Sequence, residues 1–514
     1  MREVTERGDY EVVVGIEVHV ELATESKVFC GCRTGFGARP NSQTCPVCLG
    51  MPGALPVLNG RALEYTIRAG LALNCSIAGW TKFDRKNYFY PDLAKGYQIS
   101  QYDIPIAHDG YIDIEVDGRP KRIRVRRVHL EEETAKLVHA GDDIISANQS
   151  LLDFNRSGIG LIEIVSDADM RSADEARAYL TKLWSILVAV GVSDCKMEEG
   201  SMRCEANVSV MPRGSKEFGT LVELKNIASF RAVHRAIQYE STRQIDLVRS
   251  GGRVTRETRH WDDVRGETAF MRSKEQAADY RYFPEPDLMP LEIAPEWVDQ
   301  IRGGLPELPD ARAARYVAEF GLPASDAALI AESRELASFF DGVCDVLAKA
   351  GAGAGTGAGV EAGPGAGAVE RADGPREAAK WLVGDVSAAL NAGGIELSQS
   401  KLVPEQLAEL IGLVASGKIS GKIAKSVFEE VFASGKRPGD VVRERGLVQI
   451  SDAGELAAIV GRVIEANPGP VSDYFAGKEK AITFLVGQIM KETRGRANPQ
   501  ETNRILREEL AKRS

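Results

Sequence analysis

In the run VVVGIEVHVEL, Val12 to Leu22, two carboxylates and an imidazole fall on alternate positions, as Glu17, His19 and Glu21. The residues between and beside them, Ile16, Val18, Val20 and Leu22, are apolar. Period two predicts a strand with one face buried and the three polar groups on the other. Such a face either meets water or holds something positive. Two more segments offer the same chemistry: RRVHLEEETAKLVHAG carries Glu131, Glu132 and Glu133, and in RSGIGLIEIVSDADM Glu163 interrupts an apolar run. Buried bare, that carboxylate would cost on the order of several kcal/mol. Hard divalent cations take oxygen ligands, and magnesium holds nucleotide phosphates through a few carboxylates. If the three strands converge, Glu17, His19, Glu132 and Glu163 make a magnesium site; ion pairs with nearby arginines are the other way to satisfy them.

A cationic and aromatic stretch follows the first strand, TKFDRKNYFYPDLAKGYQISQYD. Lys82, Arg85 and Lys86 precede Tyr88, Phe89 and Tyr90, with Tyr97 and Tyr102 beyond. Ammonium and guanidinium groups suit phosphate oxygens, and aromatic faces suit an adenine or a terminal base. A core strand with exposed lysines reads equally from composition.

The segment FCGCRTGFGARPNSQTCPVCLG carries the pair Cys30 and Cys32 and the pair Cys45 and Cys48, with twelve residues between the pairs. Two close pairs across a short Gly- and Pro-containing loop can present four thiolates to one tetrahedral ion, and zinc suits soft thiolates best. With every position filled by protein, the expected role is structural. Cys75, Cys195, Cys204 and Cys344 have no partner at such spacing and read as small core residues.

What positions these groups is legible in outline. At 514 residues, with 44% hydrophobic and 27% charged content, the chain is an ordinary globular protein too long for one core. No apolar run reaches membrane-spanning length and MREVTERGDYE lacks a signal-peptide core, so reduced thiols and a cytoplasmic location are expected. The net charge of −10 divides unevenly, about +3 from Ser400 onward against −13 before it, which permits nucleic-acid contact through the C-terminal end. Up to about Glu292 the pattern mixes strands and helices. GYIDIEVDG and RIRVRRVHL read as antiparallel strands about a Gly turn, and SADEARAYLTKLWSILVAVG as a helix capped by Ser172 or Asp174 and stopped at Gly191. Past Pro295 the segments read as helices. The Gly/Ala run Ala350–Ala368 reads as a disordered loop, and its GxG spacings follow no strand. GLVASGKI, Gly412–Ile419, imitates a P-loop but lacks the Ser/Thr and ends a helical pattern.

Several long motifs, in order, then become specific: GIEVHVEL, KFDRKNYFYPDLAKGYQISQYD, GLIEIVSDADMRS, KMEEGSMRCEANVSV, ELKNIASF, DYRYFPEPDL, GKISGKIAKSVFEEV and FLVGQIMKETRGRANPQ. Over nearly the whole chain the sequence resembles the B subunits of the aspartyl/glutamyl-tRNA amidotransferases. The resemblance implies an α+β protein in three domains. Residues 1–297 would form a cradle with an antiparallel sheet like that of glutamine synthetase and guanidino kinases, 298–399 an all-α helical domain, and 400–514 an all-α tail that binds tRNA. It implies a ligase that phosphorylates the side-chain carboxylate of misacylated Glu-tRNA(Gln) or Asp-tRNA(Asn) with ATP and Mg²⁺. Ammonia from a partner amidase, the A subunit, would then displace phosphate, and a small C subunit would tie the two larger chains into a heterotrimer. By the same resemblance His19, Glu132 and Glu163 hold magnesium with Glu17 beside them, and Lys86 contacts phosphate. Glu205, Asn207, Glu223 and Lys225 would line the site with Lys82, Arg85, Tyr88 and Tyr90. The four cysteines occur in only part of that family and would hold a structural zinc. A zinc-stabilised tRNA-binding scaffold without catalysis is the competing expectation.

Overall fold

The computed structural model describes residues 9–140, 149–273, 279–353, 373–447, 453–476, 478, 480–493, 496–497 and 499–513. The chain forms two compact units, Met1–Leu308 and Pro309–Ser514. The Gly/Ala run from residue 354 onward lies outside the described residues.

The first unit is built on a nine-stranded sheet. Its strands, in chain order, are β1 (Tyr10–Glu21), β2 (Ser76–Ile77), β3 (Ala107–Val116), β4 (Arg119–Glu132), β5 (Gly160–Ser166), β6 (Met202–Pro212), β7 (Val222–Ile227), β8 (Glu257–Asp262) and β9 (Glu267–Ser273). Across the sheet they run 9-8-7-6-1-5-4-3-2, so the first strand lies in the middle. All neighbours are antiparallel except β7 and β8. The expected hairpin is β3–β4, closed by Asp117 and Gly118, both in the left-handed region at φ 52° and 71°. That geometry suits a two-residue Asp-Gly turn, whose twist matches that of the strands.

One face of the sheet is apolar and packs under helices α1 (Gly60–Ala72), α2 (Ala173–Ala189) and α3 (Phe230–Arg249). Ile16, Val18 and Val20 from β1, Ile162 and Ile164 from β5, and Cys204, Ala206 and Val208 from β6 are all buried in that core. Ser172 caps α2 through its hydroxyl, which accepts from the Glu175 amide at 3.1 Å, and the left-handed Gly191 follows its end. The helix Pro295–Gly303 buries Val298 and Ile301 against the same core, so the first unit continues to Leu308, past the expected boundary at 297.

The second unit is helical throughout its described residues. One apolar core runs from Tyr316 to Val442 and a separate one from Leu456 to Leu510. The expected division at residue 400 falls inside the first of these, because the helices Arg334–Gly353 and Pro404–Ala415 share it. No helix among the described residues is long and apolar enough to cross a membrane.

Candidate active site

The sheet's other face is polar because alternation leaves it nothing else to show. Register sets β1 residues Glu17 and His19 opposite Val165 and Glu163 of β5, and opposite Glu205 and Arg203 of β6. Glu163 in turn lies opposite His129 of β4. A single row therefore crosses four strands, His129–Glu163–His19–Arg203. Glu131, two residues along from His129, closes on it from one end. His19 Nε2 lies 3.5 Å from Glu163 and 3.7 Å from Glu131, while His129 Nε2 lies 3.2 and 3.6 Å from the same two carboxylates. One ligand atom from each of His19, Glu131 and Glu163 falls within 4.8 Å of the others, a spacing that a divalent cation can bridge.

Glu132, expected in this set, is not part of it. The reason is a β-bulge: Val165 and Ser166 pair with Arg127 and Val125, so Arg126 is an extra residue on β4. Before the bulge the core side chains are Ile123 and Val125; after it they are Val128 and Leu130. Continuing the phase of Ile123 and Val125 would place Glu132 on the open face. The extra residue moves Arg127, His129 and Glu131 there instead. The Glu132 carboxylate is taken by the Lys95 ammonium and by the Ile99 amide at 2.8 Å.

Crowded carboxylates govern the charges here. Burial opposes protonation of His19, but Glu163 and Glu131 outweigh it and push the imidazole up to about 9. Glu163 is held well below the usual carboxylate range despite burial, by His129 and His19. Burial, with Glu163 and Glu205 nearby, raises Glu17, whose Oε1 accepts from Asn207 Nδ2 at 2.7 Å. Glu205 takes the Lys225 ammonium at 2.6 Å, and Glu223, 3.8 Å from that ammonium, accepts from Thr258 at 2.7 Å. Glu205, Asn207, Glu223 and Lys225 lie on the open face, one or two strands from His19.

A small sheet of Phe283–Pro284, Asp84–Asn87 and Tyr97–Ser100 adjoins the end of β4, where Ser100 donates to Glu131 at 3.1 Å. From it Lys86 is drawn toward Glu131 and Glu163, which overcome its burial and raise it. Its ammonium sits 5.1 Å from the Tyr280 ring centre and 5.9 Å from that of Tyr88. Tyr282 stacks on Tyr102 at 4.3 Å and meets Tyr280 edge-on at 6.1 Å. Alternation along the chain does not single out Tyr280, Tyr282 or His129 as site residues, and it passes over Glu131 in favour of Glu132. Both tyrosines fall in DYRYFPEPDL, one of the motifs that carry the resemblance, and that is the signal the chain offers for them.

Lys82, Arg85 and Tyr90 are placed otherwise. Lys82 closes on Asp84 and Asp103. Tyr90 is exposed in a turn with Phe89, beside a cavity of about 450 Å³ lined also by Lys95 and Gly96. Arg85 forks onto Glu285 at 2.7 and 2.8 Å, bonds Asp287 at 3.0 Å and lies 4.1 Å over the Tyr97 ring. It is a strut between strands, because neighbours on a strand face opposite ways and Lys86 has the site side. Arg85→Met leaves the fully buried Glu285 carboxylate without its cation. Urea unfolding of the first unit is expected to report a loss of about 3–5 kcal/mol, while the ATP KM of the folded fraction stays near that of the parent.

The four cysteines lie outside the sheet face and converge, their sulfurs all within 4.8 Å of one another. Cys45 and Cys48 sulfurs are 3.9 Å apart, close to the roughly 3.8 Å edge of a tetrahedron with 2.3 Å zinc–sulfur bonds. The Cys45 amide points at Cys48 Sγ at 3.1 Å, and the Cys48 thiolate is favoured chiefly by a hydrogen bond from Cys30, then by that amide and the fully buried Lys27. This donor set fits zinc. Cys75, Cys195, Cys204 and Cys344 are buried, and burial pushes each thiol up, Cys75 to about 12.

A sheet bearing imidazoles and carboxylates on one face, walled by a lysine and tyrosines, defines a catalytic domain suited to reactions of anionic substrates. Residues 12–299 match the family model for the GatB/GatE catalytic domain, and residues 366–510 that for the GatB domain. The chain is 54% identical to the B subunit of the aspartyl/glutamyl-tRNA(Asn/Gln) amidotransferase of Carboxydothermus hydrogenoformans over 504 residues, covering 98% of this chain and 99% of that one. It is 52% identical to the protein of that name from Caldanaerobacter subterraneus subsp. tengcongensis, and 51% to that from Brevibacillus brevis, covering 98% of this chain and 100% and 99% of theirs. The chain belongs to the family of aspartyl/glutamyl-tRNA(Asn/Gln) amidotransferase B subunits.

Proposed function

We propose that this chain is the part of a tRNA-dependent amidotransferase that activates the side-chain carboxylate of Glu-tRNA(Gln) or Asp-tRNA(Asn) with ATP and converts it to the amide. A carboxylate and ammonia do not condense in water, so the carboxylate must first become an acyl phosphate. That step brings two anions together, and its barrier falls when positive charge is held rigidly where the phosphoryl group passes. His19, Glu131 and Glu163 would hold magnesium, which when bound neutralises phosphate charge. Lys86 supplies a fixed ammonium across from them, and Glu17 with Asn207 extends the polar floor toward Glu205 and Lys225. The tyrosine wall of Tyr88, Tyr280 and Tyr282 limits water on that side.

What carries this reading is the convergence of His19, Glu131 and Glu163 within 4.8 Å, on the open face of a sheet whose other face is core. The cradle would then be a variant of the glutamine synthetase and guanidino kinase sheet. Ammonia would come from a partner amidase, joined through a small third chain, and the helical second unit would grip the tRNA. The four-cysteine module would hold zinc as a scaffold beside the sheet.

ADP release by the assembled complex, with and without misacylated tRNA, tests the proposal. The expected result is tRNA-dependent ADP formation that falls by at least about 100-fold in Glu163→Ala. Binding of tRNA with no ADP under any pairing of partner chains would leave only a scaffold. ADP formed equally without tRNA would indicate a ligase acting on a free amino acid.

A further inference from the structure

The bulge that brings Glu131 to the open face also turns Arg127 onto it, four residues earlier on β4. Bulges beside active sites re-aim side chains, and Arg127 is half-buried there. Its guanidinium is pinned by two carbonyls, Gln101 and Tyr102, each accepting at 2.6 Å. Its Nε is buried and has no hydrogen-bond partner. Among the described residues no carboxylate closes an ion pair on Arg127 or on Lys86, whereas Arg124 and Arg126 on the same strand pair with Asp167 and Asp169. Arg127 and Lys86 come from different sheets, yet both are within electrostatic reach of Glu163, Glu131 and Tyr282. One run of contacts joins them: Arg127 bonds the Tyr102 carbonyl, the Tyr102 ring stacks on Tyr282, Tyr282 meets Tyr280 edge-on, and the Lys86 ammonium lies 5.1 Å from the Tyr280 ring centre. Burial disfavours the Arg127 charge by more than the nearby acidic groups offset, a cost that an arriving anion relieves.

We propose that Arg127 is a catalytic residue that, with Lys86, seats the phosphoryl group in flight, the Nη–H groups not spent on Gln101 and Tyr102 donating to a phosphoryl oxygen. The inference rests on the phosphoryl-transfer reading above. In that step a side-chain carboxylate oxygen of the aminoacyl group forms a bond to the γ-phosphorus of ATP. The bond from that phosphorus to the β–γ bridging oxygen breaks, and its electron pair leaves with ADP. Ammonia then attacks the acyl carbon, phosphate departs, and the nitrogen gives up a proton to solvent. Arg127 gains and loses no proton in either step. Its two carbonyl bonds fix the guanidinium before the substrate arrives, so no reorganisation accompanies the charge movement.

The test compares affinities of the assembled complex for ADP alone and for ADP with aluminium fluoride, a mimic of the transferring phosphoryl group. Arg127→Met is expected to weaken the aluminium fluoride complex by about 100-fold while ADP affinity stays within about threefold. Arg127→Lys, which keeps the charge but not the fork, should fall between and serves if the methionine variant does not fold. Equal weakening of both ligands would make Arg127 a strut for the Gln101–Tyr102 turn and overturn the proposal, as would no weakening of either. Should the wild-type complex itself not take ADP with aluminium fluoride, the phosphoryl-transfer reading fails first. Normal trapping by wild type and by both variants alike would reject Arg127 alone.

Discussion

Glu131→Gln is expected to reduce tRNA-dependent ADP formation by about 10²–10³-fold, while Glu132→Gln leaves turnover of the folded enzyme within about threefold. The two residues are adjacent and chemically identical, so the contrast isolates geometry. Glu131 faces His19, His129 and Glu163, and its charge is favoured by His129 and Lys86 against its burial. An amide there removes one anionic ligand from the set that would hold magnesium, and it leaves two imidazoles facing a single carboxylate. Excess Mg²⁺ should restore part of the loss, because the defect is partly one of metal affinity. Glu132 has a different task. Its carboxylate receives the Lys95 ammonium and the Ile99 amide, tying β4 to the strand Tyr97–Ser100. The glutamine variant should cost stability, about 1–3 kcal/mol by denaturant titration, with little kinetic effect. Loss of turnover at Glu132 with none at Glu131 would mean that the bulge at Arg126 is misplaced and that β4 enters the site in the opposite phase.

The second large effect is expected outside the catalytic row. Cys48→Ser should abolish stoichiometric zinc binding, measured by metal analysis of the purified chain, and lower the thermal midpoint of the first unit by about 10 °C. Four thiols within 4.8 Å repel one another once ionised, so the loop from Cys30 to Cys48 would gain stability from a zinc ion held between them. Lys27 softens the dependence. Its side chain is fully buried, its ammonium donates to the Phe154 carbonyl at 3.1 Å, and it lies beside Cys48, where it offsets the thiolate charge. Residual enzyme that remains folded should keep its ATP KM, since none of the four cysteines lies on the row from His129 to Arg203. A purified wild-type chain free of zinc but equally stable would remove the metal from the account and leave four reduced thiols.

Much of this was open to reading in the linear chain, and the boundary is physical. Alternation in VVVGIEVHVEL sufficed to put Glu17, His19 and Glu21 on one face, because side-chain direction in a strand depends only on parity. Spacing sufficed to group Cys30, Cys32, Cys45 and Cys48, because a short loop cannot carry its ends far apart. Asp117–Gly118 marked its hairpin, and Ser172 its helix start, through bonds made within a few residues. Three decisions belonged to the tertiary structure. That β1 lies between β5 and β6, drawn from about residues 160 and 205, is set by which apolar faces share the helix-covered core. The choice of Lys86 over Arg85 for the site depends on which side of the strand Glu285 arrives to claim. The exchange of Glu131 for Glu132 depends on one extra residue, Arg126, and a bulge is defined only against the partner strand that it fails to match. Parity is local and therefore written in the chain; register is a relation between distant segments and exists only once they pack.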